Sequence, residues 1–110
     1  MEITKSDVAS AAVLQLQGRL TMVAAPQLRA EVERSVREAR PRVVVDLTGV
    51  EFVDSSGLGA LVAGLKTARQ AGGDLRIAAA GDQVRTVLGL TNLDRVLRNH
   101  GSVEDALDGW

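Results

Sequence analysis

The chain has 110 residues, of which 45% are hydrophobic and 25% are charged, and its net charge of -1 is ordinary for one globular domain spanning residues 1–110. The absence of Cys excludes disulfides and thiol catalysis, and His100 as the single His excludes a histidine-rich metal site, so we expect no metal and no cofactor. No basic cluster, membrane-spanning apolar run or signal sequence is present, and we therefore expect a cytoplasmic protein that binds neither nucleic acid nor membrane.

The first half of the chain predicts two strands, a helix and a third strand. Leu14 to Gln17 alternate between apolar and polar side chains, which is typical of a strand over residues 11–20, and residues 3–8 are suited to pair with it. Apolar residues then recur at helical spacing between Pro26 and Pro41. The β-branched run at residues 42–47 predicts a strand buried on both faces, as in a parallel sheet.

The second half predicts alternating helices and strands. A helix begins near Ser56 and ends at Gly72, with Leu61 and Leu65 in its apolar stripe. The remaining elements, in chain order, are a strand over residues 75–79, a helix over 84–90, a short edge strand at 96–97 and a last helix capped by Ser102. This alternation indicates an α/β protein with right-handed crossovers and a largely parallel sheet.

The most informative segment joins the buried strand at 42–47 to the helix near Ser56. Ligands and partners of α/β sheets collect at the carboxyl ends of strands, and a helix N-terminus favours an anion such as phosphate. Ser56 is placed to cap the helix, which leaves Ser55 as a free hydroxyl at the tip of the loop, while Asp54 is suited to close a turn. Gly57 and Gly59 allow the backbone to approach whatever lies there.

Three motifs of enzymes and nucleotide-binding proteins fail at this segment. Gly57 and Gly59 are followed by Val62, where a dinucleotide-binding fingerprint requires a third small residue. No Gly-Lys-Ser/Thr sequence occurs, so a phosphate-binding loop is absent. Neither serine follows a Gly by two residues, as the nucleophile elbow of a hydrolase requires. We therefore expect a protein that is not an enzyme.

The run from Asp46 to Ala60, with Asp-Ser-Ser-Gly-Leu-Gly at its centre, resembles the signature of bacterial STAS domains, in particular the anti-sigma factor antagonists. Residues 18–21, followed by Leu28-Arg29, are similar to the Gly-Glu-Leu-Asp stretch that leads into the first helix of that family. Residues 90–97 resemble its closing segment. The resemblance covers essentially the whole chain. It implies the α/β STAS fold, with a four- to five-stranded, mostly parallel (mixed) sheet and helices packed on one side.

The resemblance also implies a mechanism. An unmodified antagonist binds an anti-sigma factor that is also a serine kinase, and the sigma factor is released. The kinase phosphorylates the Ser that directly follows Asp, which is Ser55 here, and the modified protein then dissociates until a serine phosphatase resets it. The alternative is an accessory or scaffold STAS subunit of a signalling or lipid-transport complex, without a phosphorylation cycle.

The partner surface is expected around Ser55 and along the following helix. Helical spacing places a strip of small residues, from Gly57 through Ala60 and Gly64, opposite the leucine stripe, where it either docks a partner or packs internally. Thr21 stands where the family commonly has Asp, so this position keeps hydrogen-bonding capacity but carries no charge. The predicted partner-binding residues are Thr21, Met22, Asp54, Ser56, Gly57, Leu58, Gly59, Ala60 and Gly64.

Overall fold

A five-stranded sheet organises the fold, and the computed structural model describes all 110 residues. The strands are β1 (Glu2–Val8), β2 (Ala11–Leu20), β3 (Arg42–Val53), β4 (Asp74–Ala78) and β5 (Asn99–His100). They lie in chain order across the sheet; β1 pairs with β2 antiparallel, and all later pairs are parallel. The helices are α1 (Ala25–Arg37), α2 (Ser55–Gln70), α3 (Asp82–Leu90) and α4 (Val103–Leu107), with a 3-10 turn at Leu93–Arg95. The predicted α/β architecture with a mixed sheet is confirmed.

The main hydrophobic core lies between one face of the sheet and helices α1, α2 and α3. Val43 and Val45 of β3 face this core, together with Leu28 of α1 and Leu61 of α2, and all four are fully buried. Each such side chain contributes about 1.5–3 kcal/mol on burial. The predicted core positions in α2 are thereby confirmed, because Leu65 is also buried in this cluster.

The short helix α4 covers part of the opposite face of the sheet, so the expectation that the helices pack on one side is wrong for this helix. Val44 of β3 points to that side, where it packs in a small cluster with Ala106 of α4. Since Val44 is as fully buried as its neighbours Val43 and Val45, the prediction of a strand buried on both faces is confirmed. Ser102 caps α4 as predicted, because its hydroxyl oxygen accepts a hydrogen bond from the Asp105 N–H at 3.1 Å.

Two element boundaries differ from the sequence prediction. The edge strand predicted at residues 96–97 is wrong. That segment follows the 3-10 turn, and the Leu97 side chain is fully buried in the core, while β5 forms two residues later. Strand β3 also continues beyond Leu47 to Val53, because β2 keeps pairing with it through irregular register as far as Leu20. No helix is both long and apolar enough to cross a membrane.

Candidate functional site

The start of α2 is fixed by Asp54, which is its N-cap residue. The Asp54 backbone is extended, and its Oδ1 accepts a hydrogen bond from the Gly57 N–H at 2.8 Å. The prediction that Ser56 caps this helix is therefore wrong. The helix begins at Ser55, which places Ser56 inside the first turn. The Asp54 carboxylate, one residue before the helix, therefore accepts from the N–H of Gly57, the third residue of the helix.

Asp54 also ties α2 to the loop between β2 and α1. Its second carboxylate oxygen, Oδ2, accepts a hydrogen bond from the Met22 N–H at 3.1 Å. Its own backbone N–H donates to the Leu20 carbonyl at 3.3 Å. Both segments leave the carboxyl ends of neighbouring parallel strands, so the sheet brings residues more than 30 positions apart to one edge. Partner binding by Asp54 stays a prediction, whereas its hydrogen bonds connect the start of α2 to the end of β2 and to the following loop.

Ser55 lies exposed at the first position of α2, beside a shallow hollow of about 450 Å³. The hollow is lined by Met22, Ala25, Pro26, Arg29, Ser55, Ser56 and Gly59. It therefore combines two hydroxyl-bearing side chains from α2 with a cation from α1. No group of three or more His, Asp or Glu side chains is placed to hold a metal ion.

Arg29 is the charged residue of this hollow, and the sequence analysis did not assign it to the site. A Cβ atom placed on Gly59 would lie 3.9 Å from Arg29 Nη2, so the guanidinium group reaches across from α1 to the first turns of α2. Its helical spacing from Ala25 and Pro26 indicates that these residues share one face of α1. Nothing in the sequence, however, shows that this face meets the Ser55 end of α2.

The small-residue strip of α2 packs inside the protein. Ala60 is fully buried, and Gly57 and Gly64 are also buried. A Cβ atom on Gly57 would lie 2.1 Å from the Leu20 carbonyl oxygen, and one on Gly64 would lie 3.3 Å from Val32 Cγ2 of α1. The strip is small because α1 and the end of β2 approach it closely. The prediction that these three residues face a partner is therefore wrong, and the internal alternative holds.

The other predicted partner-binding residues of α2 separate into buried and accessible ones. Leu58 is 4% exposed and belongs to the main core, which removes it from any partner surface. Gly59 and Ser56 are partly exposed and line the hollow beside Ser55. The accessible part of α2 at this end is thus confined to its first turns.

The β2–α1 loop places Thr21 and Met22 differently. The Met22 and Val23 side chains are 70% and 87% exposed, and Met22 lines the hollow of Ser55. Thr21 instead lines a neighbouring hollow with Arg19 and Glu51, and its carbonyl accepts hydrogen bonds that begin the turn into α1. Thr21 is therefore not among the residues that line the hollow of Ser55, and its partner-binding role stays a prediction.

A sequence model of the STAS domain matches residues 2–106. The chain belongs to the STAS domain family. The anti-sigma-F factor antagonist RsfB of Mycobacterium tuberculosis is 30% identical over 109 residues, which are 97% of this chain and 87% of that protein. The crystal structure of an anti-sigma factor antagonist from Mycobacterium paratuberculosis superposes with a TM-score of 0.85 at 30% identity, covering 96% of this chain and 90% of that one.

A candidate anti-sigma factor antagonist of Thermotoga neapolitana is 33% identical over 67 residues, 61% of this STAS chain and 59% of that protein. The match thus spans less than two thirds of that relative's length. Together these likenesses confirm the predicted family and the STAS fold. The relatives carry the names of regulatory proteins, which agrees with the prediction that the chain is not an enzyme.

Proposed function

We propose that this STAS chain is a cytoplasmic anti-sigma factor antagonist whose unphosphorylated form binds an anti-sigma factor that is also a serine kinase. Phosphorylation of Ser55 blocks this binding, and a serine phosphatase restores it. The observation that carries the proposal is the exposed Ser55 at the first position of α2, directly after a capping Asp54 that is hydrogen-bonded into the edge of the sheet. A protruding hydroxyl on a rigid support is a suitable kinase substrate.

The surroundings of Ser55 support a switch that acts at the interface and leaves the fold intact. A phosphate group adds a charge of about -1.5 to -2 at neutral pH. The free N–H groups and dipole of the α2 N-terminus favour such an anion, and the guanidinium of Arg29 lines the same hollow. The charge is therefore tolerated within the free protein. The energetic cost falls on the bound state, where the phosphate has to lose water against the partner.

The exposed side chains of Met22 and Val23 supply an apolar contact beside this charge switch. Met22 lines the hollow that contains Ser55, and its backbone N–H is held by Asp54. Burying these side chains would favour association by about 25 cal/mol per Å² of apolar surface. A phosphate at Ser55 would have to be desolvated beside that contact, which is unfavourable and would weaken the binding of a partner.

The proposal is tested by capturing the partner from the native host and then reconstituting the cycle. Immobilised wild-type protein, Ser55→Ala, Ser55→Asp and Ser10→Asp are each incubated with host extract. Ser10 lies in the exposed turn between β1 and β2, at the other end of the parallel strands, and controls for charge alone. We expect one protein to be retained by every variant except Ser55→Asp.

The captured protein is then purified and incubated with wild-type chain and ATP. Phosphopeptide mapping should locate phosphate on Ser55 and not on Ser56, and the phosphorylated chain should no longer bind its partner. Retention of the partner by Ser55→Asp, or a chain that stays unmodified with the purified partner and ATP, would contradict the switch. The second result would favour the scaffold alternative.

A further inference from the structure

The backbone that carries Ser55 is held from an unexpected direction by the Gln83 side chain of α3. Gln83 Oε1 accepts a hydrogen bond from the Val53 N–H at 2.9 Å, and Gln83 Nε2 donates to the Val53 carbonyl at 3.1 Å. One carboxamide therefore engages both polar backbone groups of the last residue of β3. The contact joins residues 30 positions apart, and Gln83 itself is half-buried.

This contact stands where a neighbouring strand is missing. β4 pairs with β3 only as far as Asp46, which lies opposite Ala78, so the remainder of β3 has no strand on that side. In a strand, the N–H and C=O of one residue point to the same side, and the next residue points to the other. Accordingly, the backbone N–H and C=O of Val53 point toward α3, while the Asp54 N–H points toward β2 and donates to the Leu20 carbonyl.

A carboxamide carries the same donor and acceptor as a peptide group, so Gln83 reproduces one peptide unit of an absent strand. Without it, a donor and an acceptor in a partly buried position would lose their partners, which is unfavourable. The strand would then be fixed only from the β2 side at its last residues. Since α2 begins two residues after Val53, backbone motion at Val53 would also move Ser55.

We propose that Gln83 is the positioning residue of the Ser55 site. It fixes the end of β3 from the side that lacks a strand, so that Ser55 is presented to its partner in one geometry. This inference rests on the proposed function for the importance of Ser55. The hydrogen-bonding role of Gln83, in contrast, can be measured on the free protein without any partner.

The first test replaces Gln83 with Met, which has similar length but cannot form these two hydrogen bonds. Gln70→Met is the matched control, because Gln70 is exposed at the end of α2. Amide hydrogen exchange is followed by NMR on the full chain, and protection factors are compared with those of fully buried core residues such as Val45. The Val53 amide should lose about tenfold or more of its protection in Gln83→Met relative to Val45 and stay unchanged in Gln70→Met. Equal protection at Val53 in all three proteins overturns the proposal.

The second test uses Gln83→Glu to separate hydrogen bonding from the filling of space. A protonated carboxyl group both donates and accepts, as the carboxamide does, whereas the ionised group only accepts and cannot serve the Val53 carbonyl. The chemical shift of the Val53 carbonyl carbon should therefore move toward its wild-type value as the pH falls through about 4.3, the usual pKa of Glu. A pH profile that matches the wild-type profile overturns the hydrogen-bonding role.

A third measurement connects the positioning role to the switch. With the captured kinase and ATP, Gln83→Met should be phosphorylated at Ser55 about tenfold or more slowly than wild type, because small misplacements of a reacting group are costly. Gln70→Met should react at the wild-type rate. An unchanged rate for Gln83→Met overturns the positioning role. If wild type itself is not phosphorylated, the proposed function fails, while the exchange and pH measurements still decide the role of Gln83.

Discussion

Replacing Asp54 with Ala should destabilise the protein through two separate hydrogen bonds. The cap bond to the Gly57 N–H is 2.8 Å long, and removal of such a cap costs about 1 kcal/mol. The bond from the Met22 N–H to the other carboxylate oxygen is 3.1 Å long. Because it lies at an exposed site where water can replace it, we assign it about 0.5–1 kcal/mol. The expected total is about 1.5–2 kcal/mol, which corresponds to a fall in Tm of about 6–9 °C for a domain of this size.

Two further variants divide this effect between its causes. Asp54→Asn should retain the cap, since Asn and Asp cap helices about equally well, but its amide group cannot accept a bond from the Met22 N–H while its oxygen caps the helix. It should therefore show about half of the loss. Ser56→Ala should stay within about 0.5 kcal/mol of wild type, because Ser56 is not the cap.

The assay is urea unfolding of the three variants and wild type, followed by circular dichroism, with thermal melts as a second measure. A loss in Ser56→Ala as large as that in Asp54→Ala would refute the assignment of the cap. Equal losses in Asp54→Asn and Asp54→Ala would instead show that the bond to Met22 accounts for the whole effect.

Three other variants test particular features of the fold. Ala60→Glu should unfold the protein, as measured by circular dichroism, because it places a charge at a fully buried position. Ala71→Glu is the control, since Ala71 is exposed directly after α2, and this variant should fold normally. Ser35→Ala should raise the free energy of unfolding by about 1 kcal/mol, since the buried Ser35 hydroxyl has no hydrogen-bond partner; an unchanged urea midpoint would contradict this. The Lys5 ammonium, hydrogen-bonded to Glu38, lowers the pKa of Glu38. Lys5→Ala should therefore raise the pKa of Glu38 in an NMR titration. The stability that the ion pair with Lys5 adds should be lost as the pH falls through the pKa of Glu38 in the folded protein.

The sequence predicted features whose cause is local. The cap of α4 was found correctly because Ser102 and the Asp105 N–H lie within one helical turn. At α2 the same local preference predicted Ser56 as the cap, which is wrong, because Asp54 is the N-cap. Asp54, Ser55 and Ser56 are all good capping residues, and local preference does not rank them. Asp54 is held just outside the helix by the hydrogen bond that it donates to Leu20 and by the one that it accepts from Met22, and both partners lie more than 30 positions away.

The hydrophobic pattern by itself determined the α/β architecture, the leucine core of α2 and the segment that carries Ser55, because the spacing of apolar residues indicates which side chains become buried. Only the tertiary structure decided which other surfaces are covered. Small residues such as Ala60 and Gly64 fit equally well at a docking face and at an internal contact, and α1 occupies the space beside them. The pairing of Gln83 with Val53 and the approach of Arg29 to Gly59 likewise follow from how the helices pack on the sheet. Such contacts join residues distant in sequence, and no spacing along the chain encodes them.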